Sequence, residues 1–323
     1  MQFLGAIPEI DLTPLADASD LGHRAVADEV RVAFTTVGFA YLCGHGVPPA
    51  LTGAAFAAAR QFHALPLERK LRVRQNRFFR GYLPLAGSRL ALTSLGEARR
   101  PNQSEAFVVA HEVPESDPDY QAGDCLAGPN QWPEDLPGFR PAVSAYFDAL
   151  QALAQRLVRV FAVAFGLAPD GLAELFRAPT MFMRLQHYPR QARRIPADQF
   201  GLAPHTDYGF LTLLAQDDVP GLQVQDLAGH WIDVPPRPGT LVLNSGDMIS
   251  RLSNDCFLST PHRVINRSGR RRYTIPFFFE PSMHARIAPL APFRDGPSPG
   301  KYPPIEYADH LMARIRSNYS IGA

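Results

Sequence analysis

The sequence predicts an α+β fold, in which a mixed α/β N-terminal region precedes an all-β core of sandwich, barrel or jelly-roll type. Three observations carry this. In the first half, apolar residues recur at helical spacing between short aromatic and aliphatic runs. After about residue 178 that period gives way to one short β-forming segment after another. Those segments are separated by Gly, Pro, Asn and Asp, turn signals at the spacing of a sandwich, barrel or jelly roll.

Taken in order, IPEIDL (7–12) reads as a strand with a proline near its start. Residues 20–36 place Leu21, Ala25, Val26, Val30, Val32 and Phe34 at helix-like spacing. GFAYLCGHGVP (38–48) is a strand closed by a glycine turn, 49–64 is helical, and 65–72 starts a short helix after Pro66. Pro133 to Pro137 form a turn, and Pro141 suits a first helical position. VSAYFDALQALAQRLVRVFAVAFGL (143–167) then sustains a long apolar helix that Gly166 ends. The strand series is MFMRLQHYP, GFLTLLAQD, GLQVQD, WIDVPP, GTLVLNSGD, CFLSTPHRVIN and RRYTIPFFFEP. A closing helix is expected over 305–320, IEYADHLMARIRSNYS, and there are no internal repeats. The 31 prolines are roughly twice the average share, and their clusters (Pro235–Pro236, Pro292 to Pro304) mark loops.

Bulk properties exclude several classes. With 323 residues, 46% hydrophobic and 20% charged, the chain can bury a large core. A net charge of +1 gives no electrostatic reason to expect nucleic acid or an anionic membrane as partner. Cys43, Cys125 and Cys256 are sparse, odd in number and free of CxxC spacing, which predicts reduced thiols and a cytoplasmic location. MQFLGAIPEIDL lacks a basic n-region and a long apolar stretch, so no signal peptide is expected. No run of about 18 apolar residues suggests a membrane span.

One constellation carries chemistry. On a strand, residues two apart share a face, so His205 and Asp207 in APHTDYG would present an imidazole beside a carboxylate. His262, in STPHRV, lies on a later strand that a rolled sheet could bring alongside. Two His and one carboxylate leave three positions of an octahedral ion open, which an Fe(II) oxygenase needs for O2 and a co-substrate. Taken singly, each histidine is as well explained as a hydrogen-bonded strand residue, and His-x-Asp is a weak motif in a chain with ten histidines. Arg272, ten residues after His262, shares a strand face with Thr274, and a guanidinium beside a hydroxyl suits a carboxylate. Arg270 and Arg271 read as surface ion-pair formers.

With these residues in place the chain resembles the isopenicillin N synthase-like branch of the Fe(II)/2-oxoglutarate-dependent oxygenases. The resemblance covers nearly the whole chain: IPEIDL, VGFAYLCGHGVP, FRGYLPL, GPNQWPEDLPGFR, RLQHYP, HTDYGFLTLLAQDDVPGLQV, PPRPGTLVLNSGDMI, STPHRV and the Arg-x-Thr strand follow the family's order. HTDYG with AQDDV is also locally similar to bacterial ethylene-forming oxygenases. The resemblance implies a double-stranded β-helix (jelly-roll) core, with His205, Asp207 and His262 as iron ligands. It implies that Arg272 and Thr274 hold the distal carboxylate of 2-oxoglutarate, with Tyr188 beside them, and that Fe(II), 2-oxoglutarate and O2 are used. The implied divisions are an N-terminal α/β region (1–120), a connecting segment with the long helix (121–177), the catalytic core (178–285) and a C-terminal loop and helix (286–323). Thr274 stands where serine is usual, and Gln186 and His187 where many relatives have Asn and Tyr. His45 belongs to a structural strand-turn signature, Asp247 to a turn, and Asp217 and Asp218 to a solvated loop.

The implied reaction is oxidation of a small molecule by hydroxylation, desaturation or ring closure, with release of succinate and CO2. Two alternatives remain at this point: an Fe(II) oxidase of isopenicillin N synthase type that needs no 2-oxoglutarate, and a non-catalytic metal-binding relative. An anionic or amino-acid-like substrate is expected, met by Arg80 and Tyr82 of FRGY. The rival account has Arg80 anchoring a turn to an acid such as Glu97 or Glu105. The oligomeric expectation is a monomer or weak homodimer.

Overall fold

A computed structural model describes residues 6–16, 20–87, 100–124, 126–191, 196, 198–294 and 300–318. The N-terminal region contributes β1 (Glu9–Asp11), α1 (Asp20–Thr36), β2 (Phe39–Cys43), α2 (Pro49–His63), α3 (Leu67–Leu71), β3 (Gly81–Leu83) and β4 (Glu105–Ala110). After α4 (Pro118–Ala122) comes the long α5 (Phe139–Ala164). The strand-rich part holds β5 (Thr180–Tyr188), β6 (Leu202–His205), β7 (Leu211–Gln216), β8 (Leu222–Gln225), β9 (Trp231–Asp233) and β10 (Leu241–Ser245). Then follow α6 (Asp247–Leu252), β11 (His262–Val264), β12 (Arg272–Glu280), β13 (Arg286–Ile287), β14 (Ile305–Glu306) and α7 (Tyr307–Asn318).

Two sheets make the core. The larger has the order β1-β2-β10-β7-β12-β5-β4-β3, the smaller β6-β11-β8-β9. Strand alternation divides the larger sheet between two interiors. On β12, Tyr273, Ile275, Phe277 and Phe279 join the core that α1, α2 and α5 cover. On β5, Met181, Met183 and Leu185 do the same. Phe161 of α5 meets Phe34 edge-on at 5.1 Å and Phe210 at 5.5 Å, and full burial of such a ring contributes about 1.5–3 kcal/mol. The other parity faces the smaller sheet, where Phe39, Tyr188, Leu222, Val224 and Val264 form a second apolar cluster. The jelly-roll-type core and the flanking helices agree with the predicted α+β class.

Element ends differ from the sequence reading for local reasons. The strand predicted over 38–48 stops at Cys43, because Gly44 (φ 60°) and Gly46 (φ 77°) turn the chain. The long helix starts at Phe139, which leaves Pro141 third rather than first, still within the turn whose N–H groups lack intrahelical acceptors. Its end is as expected: Gly166 N–H donates to Val163 O and Leu167 N–H to Ala162 O, a Schellman closure. Of CFLSTPHRVIN only His262–Val264 is strand, and Pro261, which has no N–H to donate to a ladder, stands just before it. The closing helix begins at Tyr307, after the short β14.

One close approach holds the loop between β6 and β7. A Cβ on Gly209 would overlap the carboxyl of the buried Glu280, which accepts the Phe210 N–H. Gly209→Ala should therefore destabilise the protein by about 1–3 kcal/mol. The same substitution should cost much less in a Glu280→Ala background, since the obstructing atoms are then absent. Urea midpoints for the four proteins of this cycle check it, and equal costs in both backgrounds would contradict the steric account.

Candidate active site

His205 closes β6 and His262 opens β11, and these strands pair antiparallel with the two histidines directly opposite. Their rings lie 4.2 Å apart between centroids. Asp207 is not on the strand with His205, as the i, i+2 reading had it, but in the loop that follows. Side chains fix it there: Thr212 Oγ1 on β7 and Asn244 Nδ2 on β10 each donate to Asp207 Oδ2 at 2.6 Å. The other oxygen, Oδ1, is left 3.6 Å from His205 Nε2 and 3.7 Å from His262 Nε2. Each imidazole donates its Nδ1–H to a backbone carbonyl, Ala203 O at 2.9 Å and Thr260 O at 3.2 Å. That leaves both Nε2 lone pairs aimed at one point, the arrangement in which outer hydrogen bonds orient metal-binding histidines.

The electrostatics suit a cation there. Burial, the His262 imidazole and the Arg184 guanidinium hold His205 down to about pKa 3, against the pull of Asp207. Burial raises Asp207, but both histidines and the Thr212 and Asn244 hydrogen bonds outweigh it, and the carboxylate is held below its usual range. A buried carboxylate held ionised, beside a His205 imidazole held neutral, suits the deprotonated ligands that a divalent metal requires.

The triad opens on a chamber between the sheets. On its floor Arg272 is fully buried, donating from Nε to Val219 O at 3.0 Å and from Nη2 to Gln216 Oε1 at 2.7 Å. Its Nη1 has no hydrogen-bond partner, and the guanidinium lies 5.0 Å from the Tyr188 ring centroid. A buried cation with an open N–H is costly unless a ligand supplies the anion. Thr274 and Tyr188 line the same chamber, beside Gln186, Leu202, Leu222 and Val264.

Other sequence expectations fare differently. Arg80 and Tyr82 do not line the chamber. Arg80 is fully buried and donates to Phe78 O and His111 O, which serves the turn at Gly81. Tyr82 donates to Glu105, and Glu97 lies outside the described residues. His187 faces away from Gln186 and donates from Nδ1 to Glu105 at 2.8 Å. Asp217 is not simply solvated: it is half-buried and accepts the Tyr273 and Val219 N–H groups, while Asp218 pairs with Arg270 at 2.7 Å. His45 accepts the Val47 N–H, in keeping with a turn role. Asp247 meets His310 and Arg314 of α7 rather than the triad. No separate motif marks Thr212 and Asn244. Their roles appear only when β7 and β10 are seen to flank the Asp207 loop.

Two further clusters have metal-ligand composition. His63, Glu105 and His187 converge, but Lys70 Nζ sits 2.7 Å from Glu105 Oε2, so a cation already compensates the carboxylate. Asp119, Asp124 and His284 are largely exposed, and His284 is held by Glu306 at 2.6 Å. Among the described residues, only His205, Asp207 and His262 combine burial, oriented lone pairs and an open chamber.

Residues 179–281 match the 2OG-Fe(II) oxygenase superfamily model, and residues 7–135 match the model described as non-haem dioxygenase in morphine synthesis N-terminal. A 2-oxoglutarate-dependent dioxygenase of Monascus ruber is 36% identical, with 98% of this chain and 96% of the relative covered. A homoarginine-6-hydroxylase of Glycine max is 35% identical, with 97% of each covered. The crystal structure of a full-length Neurospora crassa protein in complex with alpha-KG and thymine superposes with a TM-score of 0.84 at 29% identity, covering 98% of each chain. No helix among the described residues is long and apolar enough to cross a membrane.

The low His205 pKa sets a pH dependence for metal-free protein. An unfolded imidazole takes up a proton near pH 6.5, whereas the folded one refuses it until about 3. Below pH 6.5 the unfolded state thus binds more protons, so stability falls on acidification across that window and is fully present above it. His205→Gln should flatten the slope of unfolding free energy against pH by up to about 1.4 kcal/mol per pH unit. Denaturant titrations between about pH 4 and 7 in chelator measure it, and parallel slopes for both proteins would refute the assignment.

Proposed function

The chain belongs to the 2OG-Fe(II) oxygenase superfamily, and from that premise we propose that it oxidises a small molecule using Fe(II), O2 and 2-oxoglutarate, releasing succinate and CO2. We assign the iron to His205, Asp207 and His262, and the distal carboxylate of 2-oxoglutarate to Arg272 with Thr274 and Tyr188. The observation that carries this reading is the open Nη1 of a fully buried Arg272 in the same chamber as the triad. A protein that used the triad for structural metal alone would gain nothing from burying that charge, and would favour four closed ligands.

The chain's own residues have defined tasks. The carbonyls of Ala203 and Thr260 hold the imidazole tautomers, and Thr212 with Asn244 keeps Asp207 Oδ1 facing them. Leu202, Leu214, Leu222 and Val264 wall the 2-oxoglutarate side and keep water out, which strengthens the Arg272 pair. Iron and 2-oxoglutarate, when bound, supply the oxidising chemistry. Specificity falls to the rest of the chamber. Relatives named for homoarginine hydroxylation and a structure holding thymine support a small-molecule substrate, and we favour an anionic or amino-acid-like one. Sparse cysteines without CxxC spacing support a cytoplasmic enzyme.

Succinate release under Fe(II), ascorbate and a metabolite panel tests the reading. Substrate loss without succinate would instead indicate an oxidase independent of 2-oxoglutarate. Arg272→Ala should raise the 2-oxoglutarate concentration needed by about ten- to a hundredfold, since a charge-assisted pair contributes about 1.5–3 kcal/mol. Thr274→Ser should change it little. An unchanged 2-oxoglutarate requirement in Arg272→Ala would remove this strand from the site.

A further inference from the structure

Thr206 stands between two residues assigned to iron, His205 at the end of β6 and Asp207 in the loop beyond it. The turn from β10 into α6 pins that loop through its backbone. Gly246 N–H donates to Phe210 O at 3.0 Å, Asp247 N–H to Asp207 O at 2.9 Å and Met248 N–H to Gly209 O at 2.9 Å. A Cβ on Gly246 would overlap Gly209 O and stand 2.9 Å from Asp207 O, so a glycine is needed for the two backbones to meet this closely.

The Asp247 side chain extends the same grip. Its Oδ1 accepts the Ser259 hydroxyl at 3.0 Å, one residue before the Thr260 carbonyl that orients His262. Its Oδ2 lies 3.5 Å from His310 Nε2 and 3.6 Å from Arg314 Nε, both on α7. Arg314 Nη2 then reaches Thr206 Oγ1 at 3.2 Å, and the guanidinium lies 4.6 Å from the Tyr208 ring centroid. One carboxylate thus joins the loop that carries Asp207, the segment that leads into His262, and the last helix. Positions 307, 311 and 314 share one stripe of α7. Tyr307 and Leu311 line the chamber, so the helix that carries Arg314 also forms part of its wall.

We propose that Asp247 and Arg314 are positioning residues for the metal, a clasp through which α7 sets the geometry of the loop between His205 and Asp207. This rests on the dioxygenase reading and deepens it. Thr212 and Asn244 orient the Asp207 carboxylate, whereas the clasp fixes the backbone that carries it. A site with three protein ligands has no fourth to correct a misplaced one, so the partners behind the ligands carry much of the geometry. The planar guanidinium meets Asp247 and Thr206 at once, whereas a lysine ammonium at 314 is a single point that can satisfy one of them.

The experiment titrates Mn(II) into the metal-free 323-residue chain, reading the free ion by electron paramagnetic resonance, with a melting curve for each protein. Arg314→Gln and Asp247→Asn should each weaken Mn(II) binding about ten- to a hundredfold, and Arg314→Lys should recover part of the loss. The double variant should lose little more than either single one, because both break the same clasp. Arg159→Gln, which breaks the exposed pair of Arg159 with Asp170, should bind Mn(II) as wild type does. Wild-type Mn(II) affinity in Arg314→Gln, whatever its melting temperature, would overturn the proposal, and so would additive losses in the double variant. Should Asp247→Asn fail to fold, the order wild type, Arg314→Lys, Arg314→Gln decides, and any other order overturns it. Failure of wild type to bind Mn(II) would instead overturn the dioxygenase reading itself.

Discussion

The two-residue period of β5 and β12 is the constraint on which the rest depends. Each strand must serve two interiors that want opposite chemistry. One parity presents Met181, Met183, Leu185, Ile275, Phe277 and Phe279 to the helices, where nothing but shape and apolar area is required. The other presents Arg184, Gln186, Tyr188, Arg272 and Thr274 to a chamber where polar groups must find partners. A register slip of one residue would drive Arg272 into the helix-covered core and Ile275 into the chamber. Fold and site are therefore specified by the same pattern, and neither can drift without the other.

The network around Glu105 reinforces that register from behind. Glu105 on β4 faces His187 on β5, which faces Tyr273 on β12, one row across three strands. Lys70 and Tyr82 bind the same carboxylate from α3 and β3, and Tyr273 stacks on His187 at 4.7 Å. Burial opposes the charge, yet the His187, His63 and Lys70 contacts hold the Glu105 carboxyl far below its usual range. A buried ion with four partners tolerates little displacement, because any shift leaves a charge without compensation. Tyr82 does its work here, as a strut for the sheet that carries Arg272 and Thr274.

Much of this was legible in the residues. Alternation along RRYTIPFFFE was enough to turn Arg272 and Thr274 inward, and the ordered motifs brought His205, Asp207 and His262 together. What could not be read is instructive. Asp207 reaches the histidines from a loop, through Thr212 and Asn244, and side chains donated by other strands leave no periodic trace. Arg80 and Arg184 look alike in sequence, each an arginine among apolar and aromatic neighbours. The positive φ of Gly81 turns the first into a brace for its own loop, while strand parity delivers the second to the chamber. Asp217, adjacent to Asp218 in a loop-like stretch, read as solvated, although one of its oxygens accepts the Tyr273 N–H of β12 and the other the Val219 N–H.

The pairing of His205 with His262 has a consequence for how the molecule comes together. Between β6 and β11 the chain must first lay down β7, β8, β9, β10 and α6, so these two strands meet only across a long closed loop. Such distant pairings carry their entropic cost before they return any contact energy, and they form late. Local helices such as α5 can be complete while the two imidazoles are still far apart. On the ligand assignment proposed above, iron capture would follow this pairing, after the strands between β6 and β11 are in place.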